Sequence, residues 1–166
     1  MTDTNPAIQR SEPRERSSDG RPAGAIDSVV WFSLDGTSYG LDVAVVREVV
    51  SIDRLLPVPR TPAAIIGAFA LRGATVALVD TRILFGLDAT TTATTALVVA
   101  RGHRTLCGLT IDRVIDVARF VDAQFIPAVR GRDPPQIAGF MSNEHGGLLT
   151  VLDTSTIMHS LECLRF

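Results

Sequence analysis

The chain has 166 residues, 46% of them hydrophobic and 20% charged, with a formal net charge of −2. That composition supports one domain, or two small ones sharing an interface, and excludes global disorder. The slightly acidic balance argues against a nucleic-acid surface, and no run is long enough to cross a membrane.

Residues 1–27 carry Ser, Pro, Gly, Arg, Asp and Glu and almost no large apolar side chains. This predicts a disordered tail, because too little can be buried to offset ordering the backbone. From there, Val29 to Leu34 predicts a strand, Asp35-Gly36 a hairpin turn, and Thr37 to Val43 its partner. Val45 to Ile52 reads as a short helical turn followed by a third strand. The segment Pro57-Val58-Pro59-Arg60-Thr61-Pro62 is too rich in proline for a central strand and predicts an extended connector. Two nearly unbroken apolar runs follow, from Ile65 to Asp80, joined by a tight turn at Arg72-Gly73-Ala74. Such runs predict strands covered on both faces. Asp80 as N-cap and Gly86 just past the end predict a short helix from Thr81 to Phe85. Residues 88–96, rich in Thr and Ala, read as a linker.

After the linker the pattern repeats. At an offset of 68, Val29 to Leu34 falls on Leu97 to Gly102, Gly40-Leu41 on Gly108-Leu109, Val46 on Val114, Glu48 on Asp116 and Pro59 on Pro127. With a few extra residues in the second loop, Ile66-Gly67 meets Ala138-Gly139, and Val79-Asp80-Thr81 meets Leu152-Asp153-Thr154. A second hairpin is expected over Ile137 to Ser142 and Leu148 to Leu152, with a turn at Glu144 to Gly147. A final helix runs from Thr154 to about Leu161, capped by Asp153. The chain therefore reads as two copies of one small β unit of about five strands. Short antiparallel strands in that number avoid open edges by closing into a barrel. The expected barrels span about 28–87 and about 95–161, packed on each other with a groove between them.

Candidate chemistry is sparse. Asp80, Asp112 and Asp153 each follow an aliphatic strand, but capping accounts for the first and third, and Asp112 lies at a strand exit. His103, His145 and His159 lack metal-ligand spacing. The serines and the two distant cysteines, Cys107 and Cys163, lack a nucleophile motif, and phosphate loops are missing. No enzyme, metal or cofactor is expected. The unpaired cysteines fit a reduced, cytoplasmic setting. Arg130 and Arg132 form a small basic loop, but Asp133 adjoins it, and the aromatics sit within apolar strand patterns, so no nucleic-acid binding is expected. Protein recognition remains. Arg47, Glu48, Arg72 and Arg82 are charges embedded in apolar, turn-adjacent segments, as an interface requires. Equally open on residue type is a surface ion pair between Glu48 and one of these arginines, with Arg72 a solvated turn residue.

The segments Val46-Arg47-Glu48-Val49, Pro59-Arg60-Thr61-Pro62, Ile66-Gly67, Leu71-Arg72-Gly73 and Val79-Asp80-Thr81-Arg82 resemble the CheW family of chemotaxis coupling proteins. So do Gly108 to Val114 and Gly139 to Asp153. The resemblance covers roughly Val29 to Leu161. It implies an all-β fold of two pseudo-symmetric SH3-like five-stranded barrels with short helices. It further implies a non-catalytic adaptor between the cytoplasmic tip of methyl-accepting chemoreceptors and the regulatory domain of a CheA-type histidine kinase, associated with membrane-bound receptor arrays. By match, Val46, Glu48, Gly67, Leu71, Arg72 and Gly73 are the receptor-binding positions. Three departures stand out: Ala70 where the family usually has Asn, Ala77 where it has Pro, and Thr81 where it has Leu. Losing the Asn removes a side chain with both donor and acceptor. This keeps open a divergent relative that competes with the adaptor or serves a non-flagellar pathway such as surface motility.

Overall fold

The computed structural model describes residues 26, 28–89, 94–101, 105–119, 125–142 and 147–163. The predicted tail, apart from Ile26, and most of the Glu144–Gly147 turn lie outside them.

The first hairpin forms as its sequence dictates. Strand β1 (Ser28–Leu34) turns through Asp35-Gly36 into β2 (Thr37–Asp42). Both turn residues have positive φ, 52° and 74°, the backbone of the two-residue turn whose twist matches the strands. Asp42 then accepts the amide of Ala44 at 2.8 Å and starts a single 3₁₀ turn over Val43–Val45. This turn leads into β3 (Val46–Ser51). The proline-rich connector follows; its one strand-like contact is a bridge from Leu56 to Ala68. The second hairpin is β4 (Ile65–Leu71) and β5 (Ala74–Val79). Asp80 accepts the amide of Arg82 at 3.0 Å and begins α1 (Thr81–Leu84), which Gly86 terminates at φ 72°.

The second half repeats this order. It comprises β6 (Thr95–Arg101), β7 (Thr105–Ile111), β8 (Arg113–Arg119), the three-residue β9 (Phe125–Pro127), β10 (Ile137–Ser142), β11 (Leu148–Leu152) and α2 (Thr154–Cys163). The expected linker is shorter than 88–96, because Thr95 and Ala96 already pair with Ile111 and Thr110. Register also refines the repeat. Trp31 faces Gly40 as Val98 faces Gly108, so β1 and β6 match at an offset of 67. Two residues join β1 to β2 and three join β6 to β7, which restores 68 from there on.

The strands form two sheets, ordered β8-β1-β2-β11-β10-β9 and β3-β6-β7-β5-β4. The all-β, two-barrel architecture stands. The contiguous division at 28–87 and 95–161 does not describe the sheets, because each draws strands from both halves. β1 and β2 of the first half pair with β8 and β11 of the second, and β6 and β7 pair with β3 and β5. Side-chain patterning records which face of a strand is buried, but not which segment lies alongside it. Repeat-related bulges confirm the symmetry: β3 shifts register between Val46 and Glu48, β8 opposite Trp31/Phe32, β4 between Ile65 and Gly67, and β10 between Ile137 and Gly139.

Among the described residues three apolar clusters follow from this layout. Phe69, Val76, Leu78, Ala96 and Val98 fill the five-stranded unit, and Val29, Met141, Leu149 and Val151 the six-stranded one. The largest lies between the sheets, where Phe32, Leu34, Leu41, Val79, Leu97, Leu109 and Leu152 meet Ile157 and Leu161 of α2.

Candidate functional site

The β4–β5 tip is a two-residue turn in which Arg72 (φ 49°) and Gly73 (φ 82°) both take left-handed backbone, closed by the Leu71–Ala74 pair. Glycine adopts this readily, whereas arginine requires the hairpin to hold it there. Across from the tip lies β3. Its bulge at Arg47 sets Val46 opposite Val99 and Glu48 opposite Val98. Neighbouring residues of β6 point to opposite faces, so Val46 packs on the inter-sheet core while Glu48 turns the other way. The bulge thereby aims Glu48 at the hairpin tip.

There the two charges meet in a bidentate pair. Arg72 Nε donates to Glu48 Oε1 at 3.1 Å and Arg72 Nη2 to Oε2 at 3.0 Å. The Arg72 side chain is 80% exposed and that of Glu48 29%. The hydrogen bonds from Arg72 outweigh slight desolvation and hold the Glu48 carboxyl below its ordinary range; they raise Arg72 in turn. Since β3 and β4 are opposite edges of the five-stranded sheet, the pair ties together edges that no hydrogen-bonded ladder joins among the described residues. The fork of a guanidinium fits a carboxylate geometrically, but exposed pairs of this kind add little to stability. What the arrangement offers is a fixed donor array on a solvent-facing tip.

Of the six expected positions, the structure brings Glu48, Leu71, Arg72 and Gly73 to this tip, with Leu71, like Val50, packed against the five-stranded core. Val46 stands on the same strand, facing the inter-sheet core. Gly67 is buried. A Cβ there would lie 2.8 Å from the Leu56 carbonyl oxygen and 2.6 Å from Leu55 Cγ, so Gly67 permits a backbone crossing and does not itself present a surface. Val49, 46% exposed, follows Glu48 on β3, and Ala70 is exposed on β4 two positions before Arg72. Residue type alone does not select Val49; its pairing with Leu97 sets it on the face of β3 that Val46 shares, opposite to Glu48.

The other candidates are accounted for otherwise. Arg82 donates to Asp112 at 2.8 Å and lies 3.8 Å from Asp35, while the second Asp112 oxygen accepts the Asp35 amide. Asp153 accepts from Ser155 Oγ at 2.6 Å and from the Thr156 amide at 2.7 Å. Burial pushes its carboxyl up, but these bonds prevail and hold it below the ordinary range. Asp153 borders an open depression of about 940 Å³ walled by Phe125, Val129, Pro134, Pro135 and Ile137, with Arg130 and Asp133 at its lining. A carboxylate committed to a cap and held ionised is poorly suited to proton transfer at neutral pH. None of the six expected positions lines this depression. Among the described residues no group of three or more His, Cys, Asp or Glu could hold a metal, and no helix is long and apolar enough to cross a membrane.

Residues 28–162 match the family described as CheW-like domain. The chain is 28% identical over 115 residues to the chemotaxis protein CheW of Klebsiella aerogenes, covering 69% of this chain and 66%, just under two thirds, of that protein. It is 25% identical over 138 residues to the probable chemotaxis protein CheW of Rhizobium etli, covering 82% and 85%. The crystal structure of the scaffolding protein CheW from Thermoanaerobacter tengcongensis superposes with a TM-score of 0.67 at 25% identity, over 78% of this chain and 90% of that one. With that family's model matched from residue 28 to residue 162, the chain belongs to the CheW-like domain family.

Proposed function

We propose that this chain is a non-catalytic adaptor that joins the cytoplasmic tip of methyl-accepting chemoreceptors to the regulatory domain of a CheA-type histidine kinase. In this reading it works in the cytoplasm, beside membrane-bound receptor arrays. The observation that carries the proposal is the Glu48–Arg72 pair, held on a left-handed turn by two strands and adjoined by Leu71. Arginine fixed in a fork beside apolar surface is suited to orienting a helical partner. Val46 and Gly67 act from beneath, by setting β3 and the Leu56 crossing. Receptor state alters the kinase by changing the relative free energies of its arrangements, and any such coupling is reciprocal in binding. Individual contacts can be weak, because linkage in an array raises effective concentration.

Pull-down with a receptor-tip fragment and with the kinase, using wild type and Arg72→Glu, tests this. The substitution sets two carboxylates against each other on an exposed turn, so receptor capture drops while the melting curve holds. Normal receptor capture with unchanged melting would sink the assignment. One observation favours a second reading. Ala70 is exposed on β4, two residues from Arg72, and offers no hydrogen bond where the family usually carries Asn. A changed receptor choice, in a surface-motility or other non-flagellar pathway, predicts that Ala70→Asn raises capture of chemotaxis receptors.

A further inference from the structure

A guanidinium carries five N–H donors, one on Nε and two on each of Nη1 and Nη2. At the β4–β5 tip Glu48 takes two of those on Arg72, one from Nε and one from Nη2. Both belong to one edge of the planar group. The opposite edge, made of Nη1 and the second Nη2 hydrogen, has no acceptor among the described residues. Glu48 thus grips the guanidinium by its inner edge, and the 80% exposed side chain leaves the outer edge to solvent. The surroundings are open. A Cβ on Gly73 would meet nothing within 4 Å, and the exposed residues on the adjoining strand pairs, Ala70, Ala74 and Thr75, are small. A second cation stands next to Glu48 in the chain. Arg47 is exposed at the β3 bulge, and its guanidinium has no partner among the described residues. Arg47, Glu48 and Arg72 together leave one excess positive charge at the tip. An outward-facing fork with excess positive charge matches a planar anion.

We infer that the group recognised at this tip is a carboxylate of the partner, received by the outer edge of Arg72 with Arg47 beside it, and that Glu48 is a positioning residue acting through Arg72. The inference rests on the adaptor reading, in which the partner is the receptor tip, and adds the chemical class of the group bound. It reverses the sign expected from charge alone. Glu48 is itself acidic, so by Coulomb's law its removal should favour an acidic partner. If Glu48 holds the fork, its removal weakens binding instead, because a freed guanidinium must be ordered again on association. Lysine is no substitute for Arg72, since an ammonium keeps the charge but has no second edge.

The test measures binding of the full chain to a cytoplasmic-tip fragment of a methyl-accepting chemoreceptor, and to copies of that fragment with each carboxylate changed in turn to the amide. One such change is expected to weaken binding to the wild-type chain roughly ten- to hundredfold and to have no further effect on Arg72→Gln. Arg72→Lys is expected to lose nearly as much as Arg72→Gln. Arg47→Gln weakens binding less and flattens its dependence on salt. Glu48→Ala is expected to weaken binding in the wild-type background, to change nothing in the Arg72→Gln background, and to leave the melting temperature nearly in place. Glu48→Gln, which keeps an acceptor oxygen, recovers part of the loss. A Glu48→Ala chain that binds more tightly than wild type, or a set of amide fragments of which none couples to Arg72, overturns the inference and leaves the adaptor reading standing. A wild-type chain that does not bind the unaltered fragment overturns both.

Discussion

Replacing Gly67 by alanine separates a packing role from a surface role at a position that sequence matching groups with the receptor contacts. The new methyl carbon would sit 2.6 and 2.8 Å from Leu55 Cγ and Cδ1 and 2.8 Å from the Leu56 carbonyl oxygen. Leu55 is 38% exposed and can swing aside. The carbonyl cannot, since it accepts the Ala68 amide at 2.8 Å while Leu56 N donates back to Ala68 O at 2.7 Å. The backbone at 67 also has φ 156°, where side chains are rarely found. Overpacking costs about 1–3 kcal/mol and a strained backbone of this kind a similar amount; the two overlap, so about 2–4 kcal/mol is expected. In a domain of this size that lowers the melting temperature by roughly 8–15 °C. Differential scanning calorimetry reads it directly. A variant melting within about 2 °C of wild type would refute the packing argument, because the Leu56 bridge could not then lie across Gly67. The pairing with Arg72→Glu is what makes the test sharp: one substitution costs stability and the other costs binding.

Arg82→Met removes the donor that Asp112 faces at 2.8 Å, a charge-assisted bond whose loss costs roughly 1.5–3 kcal/mol. The urea midpoint falls with unchanged slope, whereas Asp35→Asn, at a 3.8 Å contact, leaves it nearly in place. Asp153→Ala deletes the α2 cap and costs about 1 kcal/mol, read by chemical denaturation at pH 7. Because the folded Asp153 carboxyl is held below its unfolded value of about 3.9, its contribution is present above that pH and fades as acid protonates it. The wild-type and Asp153→Ala stability curves should therefore converge on acidification, and a constant gap down to low pH contradicts the ionised cap.

Much of the fold is legible in residue order because its determinants are local. Gly73 and Gly36 mark turns that need left-handed backbone, and Asp80 and Asp153 mark helix starts. The paired glycines Gly67 and Gly139 mark places where another backbone crosses, under Leu56 and Ile126 respectively. The exchange of β3 and β8 is not legible, since both strands carry the same face pattern whichever neighbour they choose. The bulge at Arg47 is equally silent, because an extra residue in a strand leaves no residue-type mark. The candidate site depends on both. Glu48 and Arg72 are 24 positions apart, and their meeting follows only once the bulge turns Glu48 and the sheet curls to bring β3 beside the β4–β5 tip.

The duplication also bears on the proposed adaptor role. By repeat, Glu48 corresponds to Asp116, Val49 to Val117 and Thr75 to Leu148, so the two barrels present equivalent backbone at equivalent places. Their surfaces have diverged. The first offers a bidentate ion pair on a tip with a thin apolar margin. The second offers Ile115 and Val117 on β8 and Leu148 on β11 at 40, 58 and 61% exposure, with an exposed Asp116 between the first two. A charged fork supplies orientation and discrimination, while exposed aliphatic area supplies burial. In the adaptor reading proposed above, two unlike faces on one interleaved core would serve two unlike partners. Every core cluster among the described residues is built from both halves, so the two faces stand on one shared core.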